Sequence, residues 1–346
     1  TAPPTRAVAR VSSEVLFLCG NRHTKTYQFT DINYRIASHD DQEEMFLEYC
    51  AMLNTLDSGG LSKITIINRP LQESDVSGVA MPMQGDALDK YRHAFNDMLL
   101  DKAKGGSGIR QEKYITLSAQ KKSFMEARGY FARNSTDIQA QLGRLGSQLY
   151  DLSTNDRLKL LRDFYRGGGD GDFDFDIASS FRQGASFKDA IAPDSMRFKA
   201  DYFELGDKFG RALFLKNYPS FLKDSMLSEL TDLPKQLMLS IDIAPVPTDK
   251  AVNELQKKIL GVETNVANYQ RSQNARDNFA AIIPIELEQA RKETREFLDD
   301  LTNRDQRMMF VTVTLVHMAD SLKELDEDTE TLLTTARKHR CDFTKL

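Results

Sequence analysis

The stretch LMLSIDI at residues 237–243 alternates apolar with polar side chains, and MMFVTVTLV at residues 308–316 is apolar and rich in β-branched residues. The first pattern predicts a strand with one buried face, and the second predicts a fully buried strand. Both are apolar enough to lie centrally in a sheet, and an amphipathic helix at residues 320–338 can cover one face of it. These segments predict a sheet-and-helix core near the C-terminal end of the sequence.

Further elements around this core give the second half a regular order. Pro247 and the pair Thr248-Asp249 mark the start of a long helix after the first of these strands. The order is β-α-β, long helices, β-α-β. The additional predicted elements are strands at 196–203 and 211–215, helices at 221–230, 249–279 and 285–301, and the start of a strand at 341–346.

The first half repeats much of this order. Its helices end at glycine pairs, Gly59-Gly60 and Gly105-Gly106, as helices commonly do. The predicted strands are 14–18, 26–29, 63–68 and 114–119, and the predicted helices are 40–56, 86–104, 123–149 and 155–165, the last capped by Thr154 or Asn155.

The matching orders predict an α+β fold of two ferredoxin-like units, each β-α-β-helices-β-α-β with helices inserted at its midpoint. The glycine- and aspartate-rich run at residues 167–176 opposes a packed core, so it marks the boundary between the halves. We therefore expect a first α+β unit at 1–166, an acidic Gly-rich linker at 167–194, and a second unit at 195–346. The second unit carries a long helical insertion at 249–301.

Composition narrows the function classes. The 346 residues are 40% hydrophobic and 28% charged, with a net charge of −5, which argues against a dedicated nucleic-acid coat. Cys19, Cys50 and Cys341 are too sparse for a disulfide framework or a zinc site, and we expect reduced thiols. No stretch is apolar over the length that a membrane-spanning helix needs.

Motifs for bound nucleotides and metals are incomplete. Residues 20–26 (GNRHTKT) resemble a P-loop but lack its second glycine, and a hairpin turn is the better interpretation. Residues 105–108 (GGSG) lie between a helix and a strand, the reverse of a dinucleotide fingerprint. The run Asp170, Asp172, Asp174 and Asp176 has the spacing of calcium ligands without the glycine and glutamate of an EF-hand, so it predicts a solvated loop. The histidines lack metal spacing, and His317 is expected to be a core or strand-end residue. No catalytic, cofactor-binding or metal-binding residue is therefore assigned.

A basic region near residue 125 is the candidate contact surface. It contains Lys121, Lys122, Arg128 and Arg133. Three interpretations remain open: contact with DNA, an interface with a partner or subunit, and a plain solvent-facing helix.

Five stretches, in this order, carry a family resemblance. They resemble the N-terminal region of conjugal-transfer ATPases of the CagE/TrbE/VirB type, in the branch found in integrative and conjugative elements of Gram-positive bacteria. They are DINYRIASHDDQEEMFLEYC (31–50), MLSIDIAPVPTDKAV (238–252), LGVETNVANYQRSQ (260–273), EFLDDLTNRDQRMMF (296–310) and DTETLLTTARKHRC (328–341).

The resemblance implies a protein of the type IV secretion machinery on the cytoplasmic face of the membrane, peripheral to it. Such proteins form oligomers, often hexamers, and engage inner-membrane channel components and transferred DNA. Their ATP and Mg²⁺ bind a C-terminal P-loop motor, which is expected downstream of residue 346. This chain is thus expected to be a docking and oligomerisation region without ATPase activity or cofactor. The alternatives are a single-stranded DNA-contacting module and a soluble enzyme whose motif is not recognised.

Overall fold

A computed structural model describes residues 10–11, 17–19, 22–56, 59–71, 75, 78–104, 108–166, 173, 175–182, 184, 186–223, 225–275, 282–304 and 306–346. These residues form a mixed α+β structure, which confirms the predicted class. The chain divides into two compact units that are interleaved in sequence. The larger unit comprises residues 1–36, 62–242 and 312–346, and the smaller comprises 37–61 and 243–311. Both predicted boundaries of the linker fall inside the larger unit.

The regular elements lie close to their predicted positions. The strands are β1 (Arg10–Val11), β2 (Phe17–Cys19), β3 (Arg22–Phe29), β4 (Gly60–Pro70), β5 (Ile109–Gln120), β6 (Leu149–Asp151), β7 (Met196–Phe198), β8 (Phe203–Leu205), β9 (Lys208–Asn217), β10 (Gln236–Pro245), β11 (Met309–Ala319) and β12 (Asp342–Lys345). The helices are α1 (His39–Asn54), α2 (Asp89–Lys104), α3 (Phe124–Arg144), α4 (Thr154–Tyr165), α5 (Ile177–Arg182), α6 (Phe187–Ile191), α7 (Ser225–Thr231), α8 (Thr248–Asn274), α9 (Ile285–Asn303) and α10 (Leu322–Lys338).

The strands form one sheet with a repeated internal order. Its neighbours run β1-β2-β3-β5-β4-β10-β11-β9-β8-β7, with β6 paired to β3 and β12 paired to β9. If β3 to β6 are numbered 1 to 4 along the chain, their spatial order across the sheet is 4-1-3-2. The set β9 to β12 repeats that order. This repetition supports the prediction of two ferredoxin-like units, and it places α2 and the pair α8–α9 at equivalent points along the chain.

The helix α10 covers one face of the sheet. Its first turn is capped by Ser321, whose Oγ accepts a hydrogen bond of 3.2 Å from the Glu324 backbone. Its apolar stripe includes Leu332 and Ala336, which pack with Leu239 and Leu315 in the largest described core cluster. Because their leucines contribute to this core, β10 and β11 lie centrally in the sheet, as their sequences predicted.

Several predicted boundaries were wrong for local reasons. The helix predicted at 123–149 ends at Arg144, because Gly146 adopts a left-handed φ of 80° and the chain then forms β6. The N-cap of α4 is Ser153, one residue before the predicted cap. The strand predicted as fully buried contains Phe310 and Val311 near its start, and these are 61% and 51% exposed.

The predicted linker is partly helical where it is described. Residues 167–172 and 174 lie outside the described part of the chain. The remainder contains α5 and α6, and Ile191 packs against Leu158 of α4 in a small apolar cluster. Partly buried phenylalanine side chains also pack against this cluster, so part of the segment has a packed core.

The smaller unit contains an antiparallel pair of long helices. Ala251 and Leu255 of α8 pack against Leu301 of α9, and all three are buried. Further along the pair, Glu263 accepts a hydrogen bond of 2.9 Å from Arg291. The helices predicted at 249–279 and 285–301 thus exist and have a core of their own, with Phe279 outside the described residues. Among the described residues, no helix is both long and apolar enough to cross a bilayer.

Candidate functional site

A groove of about 810 Å³ opens within the larger unit, on the sheet face opposite α10. Val316 and Met318 of β11 line it, whereas the alternate residues Leu315 and His317 point toward α10. Because β4 and β10 are neighbours in the sheet, both repeated strand sets contribute to the groove. Its volume lies in the range that is usual for small-molecule sites.

One face of α4 forms a wall of the groove. The lining residues of this helix recur at helical spacing, which puts them on a single face. The neighbouring face carries Leu158, which packs on α6, so the helix is held from its other side. The lining residues of α4 are Asp156, Lys159, Leu160, Asp163 and Phe164.

The floor of the groove is apolar. Ile67, Tyr114 and Leu152 are buried and form a cluster against which Leu160 and Met238 pack. Burial raises the pKa of Tyr114, and its hydroxyl donates a hydrogen bond of 2.7 Å to Oε2 of Glu112. The floor can therefore accept an apolar group.

A network of two arginines and two carboxylates closes one end of the groove. Arg69 donates to both carboxylate oxygens of Asp75, at 2.6 and 2.8 Å, and lies 3.2 Å from Glu112. Arg110 reaches the same two acids, at 2.6 Å from Asp75 and 3.2 Å from Glu112. Fork-shaped pairing of this kind holds each group in place and neutralises the four charges among themselves.

Asp163 differs from these acids. Its Oδ1 is buried and has no hydrogen-bond partner among the described residues. Burial raises the pKa of Asp163 above its ordinary value, against the attraction of the nearby Lys159. A half-buried carboxylate with a raised pKa in a groove is a candidate binding group.

A second polar cluster is enclosed beneath α10. Arg211 is 1% exposed, and it donates hydrogen bonds to Thr329 Oγ1 at 2.7 Å and to the Asp201 carbonyl at 2.9 Å. It also lies 2.9 Å from Asp326. His317 contacts the same threonine and is fully buried, as predicted for a core histidine. This cluster joins α10 to the sheet through buried hydrogen bonds.

The four predicted contact residues lie before and within the first half of α3. Lys122, Arg128 and Arg133 are exposed, whereas the amine of Lys121 lies 4.3 Å from the centre of the Tyr130 ring. Glu126 caps the same turn through the Lys122 backbone. The structure thus places three of the four residues around the start of α3, with an acid among them, and Arg133 near the middle of the helix.

The remaining residues considered for nucleotide or metal binding do not form a site in the described part of the chain. Residues 22–26 of the P-loop look-alike belong to β3, and the first two residues of that stretch lie outside the described part of the chain. Three of the four aspartates with the spacing of calcium ligands, predicted as a solvated loop, are outside it as well. Within the described residues, no cluster of three or more His, Cys, Asp or Glu side chains is suited to a metal ion. Cys50 and Cys341 are free thiols.

Sequence reasoning missed the groove. The signal was present in α4, where Asp156, Lys159 and Asp163 lie on one face of a helix that was predicted correctly. The matching arginines come from β4 and β5, which are distant in sequence, and their meeting depends on strand pairing. A charged stripe on a helix is usually solvent-facing, so the pattern alone does not indicate a groove.

Models of known protein families do not match this chain, and a search of curated proteins also finds no match. The functional proposal therefore rests on the sequence resemblance and on the geometry described above.

Proposed function

We propose that this chain is the N-terminal, non-motor region of an ATPase that powers conjugative type IV secretion. The support for the family is the set of five stretches between residues 31 and 341 that resemble such proteins. In this proposal the parent protein binds Mg²⁺ and ATP in a separate P-loop motor. The present region acts in oligomerisation and in docking to inner-membrane components, on the cytoplasmic face of the membrane.

The observation that carries the docking role is the exposed apolar surface of the α8–α9 pair. Ile282 and Ile285, at the start of α9, are 88% and 81% exposed, and Leu260 of α8 is 68% exposed. Phe297 of α9 is also among the exposed large apolar residues. Adjacent exposed apolar groups mark interaction surfaces, and Ile282 and Ile285 lie together at the start of α9, so this helix pair is the proposed platform.

The size of the helix pair suits such a role. An α-helix rises 1.5 Å per residue, so the 27 residues of α8 extend over roughly 40 Å. The ion pairs of Glu263 with Arg291 and Arg295 and the core around Leu255 and Leu301 stabilise the pair internally. Its exposed residues are therefore available without unfolding the helices.

Sedimentation velocity of the purified chain tests self-association through this surface. We expect the wild-type chain to form oligomers. The double variant Ile282→Ser/Ile285→Ser should weaken them, because each substitution removes an exposed apolar contact. Ile36→Ser, at an isoleucine of the larger unit that is 83% exposed, is the matched control and should leave association unchanged. Oligomers that persist unchanged in the double variant would exclude the helix pair as the subunit contact.

Docking needs a second assay with a defined partner. An inner-membrane channel component encoded beside the parent gene should bind the wild-type chain in detergent and bind the Ile282/Ile285 double variant less tightly. Equal binding by the two chains would place the docking surface elsewhere.

A further inference from the structure

The charged groups that line the groove are nearly all paired with one another or with the protein. Arg69 and Arg110 pair with Asp75 and Glu112. Around the rest of the groove, the pairs are Arg166 with Asp194 at 3.8 Å, Asp151 with Lys25 at 2.7 Å, and Asp156 with the Ser153 backbone at 3.0 Å. Among the lining charges that the structure describes, Lys159 and Asp163 have neither an ion-pair partner within 4 Å nor a side-chain hydrogen bond, whereas Asp156 accepts from a backbone amide.

These two residues have opposite charge and a defined spacing. They are four residues apart on α4, so they project from the same helix face, one turn apart. Both are half-buried, which makes an unpaired charge at either position costly. A ligand that brings one negative and one positive group would satisfy both.

The rest of the groove limits the ligand further. Between α4 and the sheet, the floor formed by Ile67, Leu152 and Val316 offers apolar contact. Arg69 and Arg110 are already engaged by carboxylates and have little capacity for a second anion. A purely anionic ligand such as a phosphate is therefore disfavoured, and a purely cationic ligand would meet Lys159.

We propose that the groove binds a small zwitterion, namely an α-amino acid with an apolar side chain. Its carboxylate pairs with Lys159, its ammonium group pairs with Asp163, and its side chain contacts the apolar floor. A longer peptide is excluded by the same geometry, because its two charged termini are separated by the peptide backbone. This site is independent of the proposed role in secretion.

Isothermal titration with L-leucine tests the proposal directly. Two analogues carry one charge each: isoamylamine lacks the carboxylate, and 4-methylpentanoate lacks the ammonium group. We expect leucine to bind the wild-type chain and both analogues to bind about tenfold more weakly or less, since each loses a charged hydrogen bond. Absence of leucine binding at millimolar concentration would overturn the proposal, and so would equal binding of either analogue.

Substitutions of Lys159 and Asp163 test whether these two residues bind the ligand. Asp163→Asn and Lys159→Gln should each weaken leucine binding by about tenfold or more, with circular dichroism confirming that each is folded. Asp97→Asn and Lys323→Gln change exposed charges outside the groove and should bind like the wild type. If Lys159 and Asp163 pair with each other in solution, leucine will not bind and both groove variants will be less stable, which also refutes the site.

Discussion

Nε2 of His317 lies 3.1 Å from Oγ1 of Thr329, and both side chains are buried between β11 and α10. The threonine hydroxyl donates its only hydrogen to the Leu325 carbonyl at 2.7 Å, and it accepts from Arg211 at 2.7 Å. His317 must therefore donate through Nε2–H. Its Nδ1 is left unprotonated and without a partner among the described residues.

This arrangement predicts acid sensitivity. Burial lowers the pKa of His317 to about 4, and the positive charges of Arg211 and Lys235 act in the same direction. The unfolded chain binds this proton near pH 6.5, so the free energy of unfolding falls as pH drops from about 7 toward 4. Between pH 7 and pH 5, this group alone should cost about 2 kcal/mol, as measured by urea denaturation.

The matched variants for this measurement are His317→Gln and His93→Gln. Glutamine keeps a donor toward Thr329 but cannot titrate, so the variant should lose about 2 kcal/mol less than the wild type over the same pH range. His93 is exposed, and its variant should follow the wild type. An identical loss in His317→Gln and wild type would refute the assignment.

Arg211 should be a stability determinant. Arg211→Met removes its charged hydrogen bonds to Thr329 and Asp201 inside the core, and we expect the free energy of unfolding to fall by about 2 to 3 kcal/mol. Arg197→Met removes an exposed pair with Glu204 and should cost less than about 1 kcal/mol. Equal effects of the two substitutions in urea denaturation would show that the buried cluster contributes no more than the surface pair.

The basic end of α3 tests the DNA alternative. We expect weak or no binding of single-stranded DNA at physiological salt, because Lys121 is engaged with Tyr130 and Glu126 lies among the basic residues. Fluorescence anisotropy across a salt series is the measurement, since phosphate contacts give a steep salt dependence. Sub-micromolar binding that is abolished by charge reversal at Lys121, Lys122, Arg128 and Arg133 would establish the alternative.

Nucleotide binding is the next expectation to test. The sequence lacks a glycine loop of the P-loop type, which wraps phosphates in its backbone amides. Calorimetric titration of residues 1–346 with Mg-ATP should therefore give no heat of binding. Micromolar affinity would require a nucleotide site of another kind and would contradict the assignment as a non-motor region.

Removal of the long helices separates their structural and docking roles. Replacing residues 249–301 by a short flexible linker deletes the core around Leu255 and Leu301 in the smaller unit. The larger unit has its own core, so we expect it to stay folded by circular dichroism while self-association is lost. Loss of cooperative unfolding would show that the helices are required for the fold itself.

The sequence predicted much of the fold but little of the groove. The alternation at residues 237–243 and the leucine stripe of α10 are local patterns, and both gave elements that the structure contains. The short strand β6 was missed because three residues carry no periodic signal, and Gly146 alone did not mark the end of α3. The pairing of Arg69 with Glu112 joins residues of different strands, so no local pattern could reveal it.

The interleaving of the two units also has a consequence for synthesis on the ribosome. The Leu56 carbonyl accepts a hydrogen bond of 3.0 Å from Arg307, a residue 251 positions later in the sequence. At typical translation rates, the segment that follows α1 waits on the order of 10 to 50 s before this partner emerges. During that time, Met52 of α1 and the neighbouring Leu56, which are buried in the folded chain, belong to a unit that cannot yet be completed. Nascent-chain chaperones would therefore meet the apolar end of α1 as an early and long-lived exposed segment.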